Sequence, residues 1–249
     1  MNQKLIIAGQ KLSQVFDRCL KAIEPGRQLI EIDRLAEQLI REAGAEPSFK
    51  TVPGYRWATC INLNAGVVHG IPDETVIQAG DLVSLDMGLV YQGWHADMAY
   101  TIKMQNPKSK MQKDRKFLTA GKRALAAAIR VVKPGNRVGH ISAAIQRVIE
   151  GAGYHCVREL TGHGIGRELH QDPWVPCLLT QPIEATPILK EGMALAIEVI
   201  YTLGKPALRK LADGWTISTQ DGKISALFEK TVVVTRKGGK VITPFIWES

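Results

Sequence analysis

Five side chains in this sequence have the chemistry to share a multivalent cation: Asp86, Asp97, His163, Glu198 and Glu229. Asp86 lies inside the apolar run LVSLDMGLV, and Asp97 follows eleven positions later in GWHADMAY. Strand-like sequence on both sides of Gln92 and Gly93 predicts a hairpin, with the two aspartates almost equidistant from its turn. Carboxylates that close repel by roughly 1 kcal/mol even in water, and by more when shielded from it. Either one aspartate is a surface or turn residue, or something holds the pair together. Glu198 interrupts MALAIEVIYTL and Glu229 interrupts ISALFEKTVVV, so each is a mid-strand acid among mainly apolar neighbours. A buried acid needs a cation or several donors. Salt bridges would need a separate basic partner for each acid, and these strands offer only Lys230, which alternation turns to the other face. One shared multivalent site serves all four.

The imidazole comes from TGHGIGRELHQDPW, where Gly162, Gly164 and Gly166 cluster around His163 and His170 follows seven positions later. Glycine weakens regular structure by up to ~1 kcal/mol per position, so this spacing predicts a sharp turn or a close approach. We expect a glycine-rich turn that presents His163 to the cation. A phosphate-cradling loop is the other option, but GHGIG lacks the G-x-G-x-x-G form and a following Lys. Oxygen-rich ligands with one imidazole suit Mn, Fe, Co or Zn, and argue against Ca or Mg alone.

Helices and strands must then bring these residues together. Leu5, Ala8, Leu12, Phe16, Leu20 and Ile23 mark one helix, closed by Pro25-Gly26. Ile32, Leu35, Ala36, Leu39, Ile40 and Ala43 mark a second, closed by Gly44. A third runs from about Lys113 to Val132, and Ile141, Ala144, Ile145, Val148 and Ile149 mark a fourth. Each helix pair is followed by strand-like sequence, so the order helix, helix, strands occurs twice. That order predicts an α+β fold, and nothing of low complexity divides residues 1–249, so a single domain is expected.

The 249 residues carry 32 Lys and Arg against 24 Asp and Glu, a formal charge of +8. The most basic stretch, KMQNPKSKMQKDRK at 103–116, is either a solvated loop or a patch for an anionic surface such as ribosomal RNA. No apolar run reaches the ~20 residues of a membrane span, so no membrane partner is expected. Four cysteines, none in a C-x-x-C pair, suit a reducing cytoplasm better than a disulfide framework.

Five segments, NAGVVHGIP, LDMGLVYQGWHAD, GHGIGRELHQDP, EGMALAIE and DGWTISTQDGKISALFE, occur in order from 64 to 229. Each resembles a signature of the type I methionine aminopeptidases. That resemblance implies a pita-bread fold: antiparallel sheets forming a curved platform, two helix pairs packed outside, and pseudo-two-fold halves. It also implies a metallo-aminopeptidase that hydrolyses the first peptide bond of nascent proteins to release methionine. Two divalent ions (Co, Mn, Fe or Zn) would be held by Asp86, Asp97, His163, Glu198 and Glu229, with Asp97 and Glu229 shared. Catalytic roles would fall to His69, His170 and Glu198, and the substrate side chain would meet Phe49, Tyr55, Cys60, Leu169 and Trp215. The expected partners are the N-terminal Met of nascent chains and, through 103–116, the ribosome, with the enzyme a cytoplasmic monomer.

Departures from the family pattern fall around these ligands rather than on them. Leu169 stands where Phe is common, Val52 where Tyr is common, and Val199 where Pro follows the glutamate. Leu227 replaces a Gln beside Glu229, which removes an amide that would help orient the ligand, and Lys230 replaces a His. Two alternatives compete with the main reading. One is an Xaa-Pro peptidase on the same fold, whose relatives usually carry an extra N-terminal domain. The other is a non-catalytic pita-bread protein that binds RNA or partners, which has no need of five intact ligands.

Overall fold

The computed structural model describes residues 2–106 and 112–248. The chain opens with helices α1 (Gln3–Ala22) and α2 (Leu29–Glu42), then strands β1 (Glu46–Pro47), β2 (Thr59–Leu63) and β3 (Gly66–Val68). A long hairpin follows, β4 (Leu82–Tyr91) and β5 (Trp94–Lys103). The second half repeats the order, with α3 (Gln112–Arg130), α4 (Val138–Gly151), β6 (His155–Cys156), β7 (Thr161–Gly164) and β8 (Gln171–Pro176). It ends with β9 (Ala194–Thr202), β10 (Leu208–Lys210), β11 (Ile217–Thr219), β12 (Ser225–Thr235) and β13 (Gly238–Val241).

The apolar positions that predicted the helices are the ones buried: Leu5, Ala8, Leu12 and Phe16 in α1, Ile32, Ala36, Leu39 and Ile40 in α2, Ile141, Ile145 and Ile149 in α4. The predicted hairpin forms where expected. Gln92 and Gly93 both have positive φ, 50° and 73°, as a tight turn between twisted strands requires. Its register, Tyr91 opposite Trp94 and so on to Leu82 opposite Lys103, fixes which residues share each face.

A ten-stranded antiparallel sheet runs β1-β4-β5-β12-β9-β7-β8, with β2, β6 and β13 paired at its margins. A three-stranded sheet, β10-β11-β3, forms a rim beside it. In the first half α1 packs on β4 and β5; in the second α3 packs on β9 and β12. The two halves are thus built alike, in accord with the α+β pita-bread expectation. Alternation divides the large sheet cleanly. Leu85, Met87, Leu89, Met98, Tyr100, Tyr201 and Phe228 are buried in the helix-side core, while Asp86 and Asp97 belong to the opposite face. Both faces are covered, which is why β4 reads as an unbroken buried run.

Of the basic stretch 103–116, residues 107–111 lie outside the described residues. Lys103 is engaged with Asp114 at 2.8 Å. Among the described residues no helix is long and apolar enough to cross a membrane.

Close helix–sheet packing depends on Gly121. A Cβ there would come within 2.5 Å of the Phe228 ring and 2.7 Å of the Tyr201 ring. Gly121→Ala is therefore expected to destabilise by about 2 kcal/mol, lowering Tm by roughly 4–8 °C in a thermal melt. Alanine is the better helix former, so a rise in Tm would show that helix propensity outweighs this contact.

Candidate metal centre and its pocket

Register alone places the five proposed ligands on one face. Asp86 and Glu229 both pair with Ala99, from β4 and β12 respectively. Glu229 pairs in turn with Glu198 on β9. Asp97 sits two residues before Ala99, and His163 pairs with Ala196, two before Glu198. Steps of two keep a side chain on the same face, so all five converge from five strands. Asp97, His163 and Glu229 come closest, with one ligand atom of each within 4.8 Å of the others. His163 Nε2 is 3.6 Å from Glu198 Oε1. The floor beneath them is built from Ala99 and Ala196, both fully buried, whose single methyl groups leave room above the sheet.

His163 lies in strand β7, not on a turn as the glycines suggested. The glycines serve close approach. A Cβ at Gly162 would fall 2.4 Å from the Ala196 carbonyl oxygen, and one at Gly164 would fall 2.3 Å from that of Asp172. Neither has a positive φ, and the strand is bulged between them. The Gly164 carbonyl can only accept, so the 2.9 Å contact fixes the proton on His163 Nδ1. Nε2 is left with its lone pair toward the acids, the tautomer a metal ligand needs.

The electrostatics of the site call for a cation. Burial raises the pKa of all four acids, Asp97 to about 7 and Asp86, Glu198 and Glu229 well above the ordinary carboxylate range. Neighbouring carboxylates add to burial in Asp86, Glu198 and Glu229. Burial, then the repulsion that a protonated His170 would exert, holds His163 down near 4, so its ring is neutral. One carboxylate oxygen each on Asp86, Asp97 and Glu229 is buried without a hydrogen-bond partner. Orphaned acceptors in an acid-rich cluster with one neutral imidazole fit a divalent transition metal.

These acids form one wall of a cavity of about 140 Å³. The opposite wall is apolar and includes Phe49, Tyr55, Cys60, Leu169 and Trp215, the residues that the family resemblance implied, together with Val52 and Val68. Tyr55 organises it. Its ring meets Trp215 at 5.1 Å and Phe49 at 6.5 Å, edge to face, and its hydroxyl donates to the Thr59 carbonyl at 2.8 Å. Burial and the neighbouring Asp86 push the Cys60 thiol up, so it stays protonated and acts as a small apolar surface. His69 and His170 stand at the mouth, with the His170 ring 4.4 Å from that of His163. Burial lowers the pKa of both, helped at His69 by repulsion from His170 when that ring is protonated and from Lys210, so at neutral pH both present neutral rings. His69 has φ of 57°, a strained conformation for a non-glycine residue and a common mark of functional positions.

Two contributors escaped sequence reasoning. His95 shares the face of Asp97, two residues away, and its Nδ1 contacts the Ser48 hydroxyl. Its main-chain N–H donates to Gly166 at 2.8 Å. It thereby ties the turn bearing Phe49 and the loop bearing Leu169 to the ligand strand. The i−2 spacing from Asp97 was the available signal. Thr231 is the other: its hydroxyl accepts from the Asp97 N–H at 2.9 Å and donates to the Asp97 carbonyl at 2.8 Å.

The raised acids make stability depend on pH in a defined direction. Unfolded, they titrate near 4; in the metal-free fold Asp97 titrates at about 7. The fold binds more protons than the unfolded chain, so this contribution is complete below pH 4 and is lost as pH rises through 7. Depressed histidines act in the opposite sense over the same range, so the fall is read against metal-loaded protein. Between about pH 5 and 7 the metal-free protein is expected to lose, relative to metal-loaded protein, about 1.4 kcal/mol per pH unit through Asp97, or roughly 3–5 °C in Tm. Protein loaded with Mn or Co is expected to lack this extra fall, and the comparison cancels other titrating groups. Identical pH slopes with and without metal would contradict the arrangement.

Residues 3–236 match the model of metallopeptidase family M24. Methionine aminopeptidase 1 of Bacillus subtilis is 39% identical over 236 residues, 95% of this chain and 93% of its own. The crystal structure of methionine aminopeptidase from Thermotoga maritima superposes with a TM-score of 0.92 at 35% identity, covering 97% of this chain and 95% of that one. Prolidase from Pyrococcus furiosus shares the fold, with a TM-score of 0.76 at 23% identity; the match covers 97% of this chain but 63% of that one. With family model, sequence and structure in agreement over nearly its whole length, the chain belongs to the methionine aminopeptidases of metallopeptidase family M24.

Proposed function

We propose that this chain is a metal-dependent aminopeptidase that removes the N-terminal methionine of nascent proteins, holding two divalent ions on Asp86, Asp97, His163, Glu198 and Glu229. The observation that carries this reading is the juxtaposition of orphaned buried carboxylate oxygens with a small apolar cavity lined by Phe49, Tyr55, Cys60, Leu169 and Trp215. Acids suited to a metal on one side and room for one unbranched side chain on the other describe release of a single apolar residue. Divalent ions at such a site supply Lewis acidity, which lowers the pKa of water toward neutrality and polarises a carbonyl.

The protein's own groups handle position and protons. Glu198, the ligand most open to the cavity at 13% side-chain exposure, is the group to accept a proton from water and return it to the leaving amine. His69 and His170, neutral at the mouth, donate hydrogen bonds to the carbonyl oxygen as its charge grows; such a donor typically contributes about 3 kcal/mol to the transition state. The aromatic wall around Tyr55 excludes water and selects an unbranched apolar residue. Contact with ribosomal RNA through residues 103–116, in a cytoplasmic monomer, belongs to the same proposal and rests on six basic residues against one acid there. Co-sedimentation with ribosomes that disappears at raised salt would support it.

The decisive assay follows free methionine released from Met-Gly-Met-Met by metal-free protein reconstituted in turn with Mn, Fe, Co and Zn. Ala-Pro-Phe serves as the control, and cleavage of that peptide instead would indicate an Xaa-Pro peptidase. Asp97→Ala and Glu229→Ala are expected to lose both bound metal and turnover. His170→Ala is expected to keep its metal, measured by elemental analysis after dialysis, while kcat falls by about 10²-fold. Loss of metal from His170→Ala would overturn the division of roles.

A further inference from the structure

Trp174 is an exposed indole at the edge of the metal centre that the chemistry above does not use. It is 51% exposed, the most exposed of the large hydrophobic side chains among the described residues. Its strand β8 ends the large sheet, next to β7 with His163, and its ring centroid lies 6.5 Å from that of His163. A groove of about 280 Å³ leads from His69, His163, His170 and Glu198 out to Trp174. Beyond the indole lies a second groove of about 550 Å³, walled by Val138, Leu179, Pro187 and Met193, with Asp172 its one charged residue among those described. Trp174 borders both. The first groove, which leads out from the metal centre, and the second thus meet at the indole.

We propose that these two grooves are a binding site for the substrate polypeptide downstream of the cleaved bond, with Trp174 and the groove behind it taking an apolar side chain. The inference rests on the aminopeptidase reading, since it treats the first groove as the exit for the chain that follows the first residue. An extended chain advances about 3.3 Å per residue, so 6.5 Å between His163 and Trp174 is spanned by about two residues. The side chain that meets the indole belongs to the third or fourth residue of the substrate. The chemistry of the second groove selects its type: aliphatic walls and a tryptophan face favour Leu, Ile, Val or Phe over polar residues. Asp172 at its margin disfavours an acid. Trp174 is thereby a specificity-determining residue for the sequence beyond the start of the nascent chain.

The test compares wild type with Trp174→Ser and Trp174→Phe, each metal-loaded, on Met-Ala-Ser, Met-Ala-Ser-Ser-Ser and Met-Ala-Leu-Leu-Ser. Wild type is expected to show a kcat/KM about five- to tenfold higher for the leucine peptide than for the serine peptide. Trp174→Ser is expected to abolish that preference, through KM, while cleaving Met-Ala-Ser as wild type does; Trp174→Phe keeps part of it. A leucine preference that survives Trp174→Ser, or an equal loss on all three peptides, would overturn the proposal. Equilibrium binding of fluorescein-labelled Ala-Leu-Leu-Ser and Ala-Ser-Ser-Ser reads the same preference without turnover. If no protein released methionine from Met-Ala-Ser, the aminopeptidase reading would fail while this binding measurement still decided the role of Trp174.

Discussion

Mutual repulsion among four buried carboxylates is the constraint on which the rest of this structure depends. Asp86, Asp97, Glu198 and Glu229 are each at least largely removed from water, and among the described residues no arginine or lysine lines the cavity to neutralise them. Without a cation, burial pushes all four toward the protonated form. Burying one unpaired charge costs several kcal/mol, more than a typical hydrogen bond returns. The sheet therefore has to be held in place by something other than the site. That role falls to the opposite face, where α1 and α3 press Leu85, Met87, Met98, Tyr201 and Phe228 into one core.

Strand register is the device that converts this division into chemistry. The turn at Gln92 and Gly93 pins the β4–β5 hairpin, and a slip of one residue would exchange Asp86 for Leu85 on the site face. Such a slip would drive two acids into the helix layer, so stability and function select the same alignment. The metal wall needs no loop to form. Every one of its five side chains stands on a strand, which keeps their spacing rigid, while Val52, Tyr55, Leu169 and Trp215 of the pocket wall lie in turns and loops between strands.

This division explains what the sequence revealed. Period-two and period-3.6 patterns located the helices, the hairpin and the four mid-strand acids, because those patterns are local consequences of burial. The glycines around His163 signalled a constraint correctly but of the wrong kind. Close approach to the carbonyls of Ala196 and Asp172 and a sharp turn leave the same mark in a single sequence. Tyr55, Phe49 and Trp215 meet across more than 150 residues of chain, and no spacing rule predicts that contact; only the resemblance to a family supplied it. His95 and Thr231 were readable in principle, since each sits two residues from a ligand on the same face. Their partners Ser48 and Asp97 are distant in sequence, so their roles were not.

Leu227 shows how the framework absorbs a departure from the family pattern. An amide at this position would lie beside Glu229 on the site face, and leucine cannot replace its hydrogen bonds. Orientation is supplied instead by hydroxyl groups set between β5 and β12, which pair directly only at Ala99–Glu229 and Met98–Lys230. On one side of these pairs Thr101 accepts from the Leu227 N–H and donates to its carbonyl, both at 2.9 Å. On the other side Thr231 does the same for Asp97. The two threonines are related by exchange of strands, 99 with 229, 101 with 231 and 97 with 227, a local two-fold relation of β5 and β12 centred on the Ala99–Glu229 pair. Thr101 also contacts the Ser84 hydroxyl at 2.7 Å, which carries the restraint on to β4, the strand of Asp86. Glu229 is therefore held by main chain clamped on both flanks rather than by a neighbouring side chain, and a leucine at 227 leaves the ligand strand fixed.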